Sequence, residues 1–78
     1  MLRVATMAEN DLAVQAKMFR KKAGITRAQA ARDMDVSQTS IFNAEESPEQ
    51  GLVKLRIRMI EKYSEFKVRG PVYLLEKK

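Results

Sequence analysis

The chain of 78 residues contains no cysteine, no histidine and no tryptophan. Without thiols it has no disulfide and no thiolate metal site. Without imidazoles a zinc ion would depend on carboxylates alone, a donor set that structural zinc sites do not use. The same absences narrow the choice of catalytic groups to carboxylates, lysine, serine and tyrosine, and none of these recurs at the spacing of a recognisable catalytic set. Only three glycines are present, and they build no phosphate-cradling loop. The expectation is a non-enzyme with no cofactor. No apolar run approaches the roughly 20 residues needed to span a bilayer. The opening MLRVATMAENDL has one arginine and lacks the apolar centre of a signal peptide. A soluble, cytoplasmic protein with no membrane partner is expected.

What the sequence does hold is positive charge. Fifteen Lys and Arg against ten Asp and Glu give a formal +5, a balance that suits a polyanion such as nucleic acid. The length allows one domain, residues 1–78, with a core over 10–64 and a tail over 65–78.

The organising stretch is FRKKAGITRAQAARDMDVSQTSIFNAE, residues 19–45. Gly24 terminates a helix, since glycine enters the left-handed conformation without steric cost. Thr26 is placed to cap the next helix, predicted over 27–34, in which Ala30, Ala31 and Met34 share one side. The turn Met34-Asp35-Val36-Ser37 follows, and Ser37 caps a third helix. Two short helices joined by so tight a turn, with small residues at their crossing, describe a helix-turn-helix.

Around this unit, a first helix opens at Glu9 or Asn10 and runs to about Ala23, with Leu12, Ala16, Phe19 and Ala23 as its apolar stripe. Lys17, Arg20, Lys21 and Lys22 crowd its end, where cations complement the helix dipole. A polar loop is expected over 46–51, broken by Pro48 and Gly51. A fourth helix then runs from Leu52 to about Tyr63, with apolar residues Leu52, Leu55, Met59, Tyr63, Val53, Ile57 and Ile60, and a solvated face of Lys54, Arg56, Arg58 and Lys62. Part of its broad apolar arc is left for a partner subunit. Leu2, Val4 and Thr6 alternate with other residues, which fits either a frayed end or a short strand against the tail. The tail itself, apolar at Phe66, Val68 and residues 72–75 around Gly70-Pro71, predicts a hairpin or an isolated strand. It packs on its own subunit or pairs across a dimer axis. The fold class expected is therefore mainly α, four to five helices with short terminal strands.

Arg20, Gly24-Ile25-Thr26, Ala31, Val36-Ser37-Gln38, Ile41 and Glu45 stand in the register of the phage Cro and repressor-type (Xre-like) helix-turn-helix family, which the chain resembles. It differs from that pattern at Arg27, where Gln is usual, at Asp35, where the turn Gly is usual, and at Asn43, where Arg or Gln is common. The resemblance implies a lambda-repressor-like fold and a structural ion pair between Arg20 and Glu45. It also implies that Arg27, at the start of the second helix, faces the phosphate backbone. A bacterial or phage-infected cell is the implied setting.

The chemistry of the third helix fits a recognition helix spanning about residues 37–45. Ile41 and Ala44 point inward; Thr39, Phe42 and Asn43 point outward, with Ser37 and Gln38 at the start. Gln38 and Asn43 each carry a donor and an acceptor and can pair bidentately with adenine. Thr39 and Ser40 can serve a base edge or a phosphate, and Ser37 with the first helix amides can hold a phosphate. Phe42 has no polar role and suits a thymine methyl or a neighbouring helix. The expected function is a sequence-specific regulator of double-stranded DNA, a repressor acting as a homodimer on an inverted repeat. The alternative is a protein-interaction module, antitoxin-like or an adaptor, whose partner is a protein such as a toxin or an antirepressor. Phe42 and the acidic residues Glu46 and Glu49 favour it.

Overall fold

The structure is a computed structural model that describes residues 5–7, 9–69 and 73–78. Its elements are β1 (Ala5–Met7), α1 (Glu9–Lys22), α2 (Arg27–Met34), α3 (Gln38–Glu46), α4 (Val53–Tyr63), β2 (Phe66–Arg69) and β3 (Tyr73–Lys77). It is mainly helical, with the three strands in one antiparallel sheet at the chain's two ends.

The helix boundaries follow from caps written into the sequence. At the end of α1, Gly24 takes φ 74°. Its amide donates to the Lys21 carbonyl at 3.0 Å, and the Ile25 amide donates to the Arg20 carbonyl at 3.1 Å. This pair of bonds is a Schellman motif. Asp35 repeats it at the end of α2 with φ 59°, its amide reaching Arg32 and the Val36 amide reaching Ala31. The Thr26 hydroxyl accepts from the Gln29 amide and starts α2, and the Ser37 hydroxyl accepts from the Ser40 amide and starts α3. The polar segment after α3 is shorter than expected, because Glu46 belongs to the helix.

The core is one cluster contributed by all four helices and the sheet: Leu12, Ala16, Phe19, Ala30, Ala31, Met34, Ile41, Ala44, Leu55, Met59, Ile60 and Leu75. Alanines at the α2–α3 crossing are fully or nearly fully buried, which lets the two backbones approach closely. Ala23 is exposed rather than inward, one residue past the end of α1 at Lys22. The apolar residues on the flank of α4, Leu52, Val53, Ile57 and Tyr63, pack on the chain's own core.

Strand β3 is central, in the order β1-β3-β2. Ala5 faces Leu75 on one side, and Val68 faces Leu75 on the other. Both edges of the C-terminal strand are therefore filled by its own chain. The outer edge of β2 is also occupied where the Val68 amide donates to the Glu61 carboxylate at 3.0 Å. Thr6 lies in β1, paired with β3, while Leu2, Val4 and Gly70-Pro71 lie outside the described residues.

The expected solvated face of α4 needs correction at Arg56, which is 0% exposed. Its Nε donates to the Ala44 carbonyl at 2.8 Å and its Nη2 to the Ser47 carbonyl at 2.9 Å. The reason is geometric. α4 crosses the C-terminal end of α3, where the last carbonyls of a helix have no partner within it, and a guanidinium fork satisfies them better than water could reach them. Arg58 does the same for α2, donating to the Met34 carbonyl at 2.9 Å. Cations at these ends also complement both helix dipoles.

Candidate nucleic-acid interface

The face that α3 turns outward is set by its buried side. Ile41 and Ala44 are 0% exposed and Glu45 is buried, so residues rotated away from them meet solvent. Ser37, Gln38, Thr39 and Phe42 are exposed, while Ser40 and Asn43 are half-buried. Gln38 and Thr39 lie four and three residues before Phe42, so each neighbours the ring on the outward face. Ser37 and Ser40 have their hydroxyls 3.0 Å apart, with the Ser37 oxygen also receiving the Ser40 amide. These two hydroxyls serve the helix start, which leaves Gln38 and Thr39 as the outward polar groups nearest that end.

The helix is held in place from below by ionic contacts. Arg20 Nε donates to Glu45 Oε2 at 2.5 Å and its Nη2 to Oε1 at 3.1 Å. The third arm of the guanidinium donates to the Ile25 carbonyl at 2.6 Å. One residue thus ties together α1, the α1–α2 turn and α3. The Glu45 side chain is fully buried, and planar, two-pronged pairing is the geometry in which arginine matches a carboxylate best.

Arg27 stands at the start of α2, as expected, but its guanidinium is already engaged. Nε donates to Glu45 Oε1 at 3.0 Å and Nη2 to Glu46 Oε2 at 2.9 Å. Its carbon Cζ lies 4.9 Å from the centroid of the Phe42 ring, within cation–π range. Glu46 also accepts from Lys17 at 2.6 Å. The Lys17 hydrogen bond holds its carboxyl below the usual range, aided by the charges of Lys17 and Arg27 and opposed by desolvation. A carboxylate that repels phosphate in isolation is thereby neutralised by two cations of its own chain. Glu49 remains exposed in the following segment.

Sequence reasoning missed two of the residues that shape this face. Arg56 supports α3 from behind, and its only sequence signal is that it interrupts the apolar stripes of α4 beside Leu55. Lys17 was placed in the basic end of α1 without its partner Glu46, which sits 29 positions away. On α1 itself, Val14 and Met18 are exposed and line a shallow groove with Lys17, Lys21, Glu45 and Glu46. No helix among the described residues is long and apolar enough to cross a membrane. No family model matches the chain, and comparison with curated proteins and with solved structures gave no match.

Proposed function

We propose that the chain is a sequence-specific regulator that binds double-stranded DNA as a homodimer, α3 entering the major groove. One observation carries this reading: Gln38, Thr39 and Phe42 project from a single face of a short helix whose other side is locked by the Arg20–Glu45 pair. A recognition element needs base-reading groups outward and a rigid mount behind them. The formal charge of +5 supplies the attraction to phosphate. Gln38 and Asn43 are the adenine-reading candidates, Thr39 serves a base edge, and Ser37 and Ser40 lie nearest the backbone. Occupancy of an operator then gives repression.

The experiment is a selection from randomised duplexes of about 30 base pairs with the protein alone. Enrichment of an inverted repeat, its half-sites about one helical turn apart, is the expected result. If no sequence is enriched and residual binding disappears at physiological salt, the reading fails. A second reading then takes over, in which the fold serves as an antitoxin-like or adaptor module for a protein partner such as a toxin or an antirepressor. The observations favouring it are the exposed Phe42 ring and the pairing of Lys17 and Arg27 with carboxylates.

A further inference from the structure

Phe42 is 47% exposed on the outward stripe of α3. An aromatic ring on a helix surface ordinarily loses rotamer freedom when it docks. This ring is braced in advance. Arg27 lies over its face at 4.9 Å, and Arg27 is itself held by Glu45 and Glu46. Glu45 in turn is fixed by the buried Arg20. A line of contacts therefore runs from the core to an exposed apolar surface, Arg20 to Glu45 to Arg27 to Phe42. The stripe it stands on also carries Gln38 and Thr39, four and three positions earlier.

The major groove offers such a surface one apolar partner. Base edges there are hydrogen-bond donors and acceptors, except for the methyl group on C5 of thymine. We propose that Phe42 reads a thymine methyl, and that Arg27 is a positioning residue for Phe42 rather than a phosphate contact. The proposal rests on the DNA-binding reading above and specifies what one position of its half-site must contain. The guanidinium covers one face of the ring and leaves its edge and other face for the methyl. Because Nε and Nη2 of Arg27 are committed to carboxylates, moving it to a phosphate would break the bonds that brace the ring.

The test uses the full chain and the duplex recovered by selection. Each thymine of a half-site is replaced in turn by uracil, which deletes the methyl and nothing else. One position is expected at which uracil lowers affinity about fourfold, the worth of one buried methyl group. In Phe42→Ala the thymine and uracil duplexes bind equally at that position. In Arg27→Ala the ratio falls toward one, while the slope of log K on log salt stays at its wild-type value. Should Arg27→Ala fail to fold, Arg27→Lys keeps the charge but lacks the planar face that stacks on the ring, and is expected to lose the same discrimination. A slope reduced by about 0.9 would mark Arg27 as a phosphate contact and overturn its positioning role. An operator that tolerates uracil everywhere, or a uracil penalty that survives in Phe42→Ala, overturns the assignment of Phe42 and leaves DNA binding standing. A failure to select any operator removes both.

Discussion

Arg56 donates to the carbonyl oxygen of Ala44 at 2.8 Å, from a side chain with no solvent exposure. The last helix of the chain thus holds the third by its backbone. The bond matters because α3 is only nine residues long, and a helix of that length does not persist by its own propensity.

Replacing Arg56 with alanine leaves the Ala44 and Ser47 carbonyls without these donors and opens a void in the core. A loss of about 3 kcal/mol or more is expected, from about 1–3 kcal/mol per unsatisfied buried group together with lost packing. In a domain of this size that lowers Tm by more than about 10 °C, as measured by thermal melting followed by circular dichroism. Arg56→Met fills the volume without the bonds and should fall between wild type and alanine.

Arg20→Ala should cost stability before it costs affinity. It removes two of the donors to the fully buried Glu45 carboxylate and leaves it the Arg27 Nε contact, so the loss should approach the about 3–5 kcal/mol that breaking a buried pair from one side costs. Glu45→Met added to Arg20→Ala is expected to recover part of the loss, since it removes the underpaired buried charge. A melting temperature unchanged by Arg20→Ala would rule out a locking role.

Stability should also fall at high pH through Tyr63. Its phenol donates to Asp33 Oδ2 at 2.7 Å, and burial, then this bond and the nearby Asp33 charge, raise its pKa well above the ordinary value. The folded chain holds this proton more tightly than the unfolded chain. The stabilisation is therefore fully present below about pH 10, where the free phenol titrates, and declines as pH rises beyond that. In Tyr63→Phe, denaturant melts across that range should lack this part of the alkaline slope.

Gln38→Ala tests the reading of α3 directly. Loss of one bidentate base contact costs about 1–3 kcal/mol and relaxes preference at a single base pair. Repeating the duplex selection with the variant checks both. The salt slope is expected to stay unchanged, because no phosphate contact is removed.

The helix-turn-helix was legible because its punctuation is local. Gly24, Thr26 and Ser37 announce their backbone roles through their own side chains or lack of one, and α2 falls at its expected bounds, Arg27–Met34. Even Asp35, in place of the usual glycine, adopts the left-handed turn, as its short polar side chain permits. What could not be read is contact between distant segments. An arginine between Leu55 and Ile57 looks like a solvated charge until the end of α3 is laid against it. Arg27 likewise looks like a free cation until Glu45 and Glu46 arrive on the next helix. The order of the strands was open for the same reason, since an apolar tail states that it must pair but not with what.

That strand order has a kinetic consequence. β1, the first described strand, pairs with β3, the last, so one of the sheet's two ladders closes only after nearly the whole chain has been looped. The α2–α3 unit brings together neighbours across a short turn. Loop-closure entropy grows with the length enclosed, and contacts distant in sequence slow folding. The helices that carry the candidate reading face can therefore assemble first, and the β1–β3 ladder forms as a late clasp. Substitutions that weaken β1–β3 pairing should then speed unfolding while leaving the folding rate nearly unchanged.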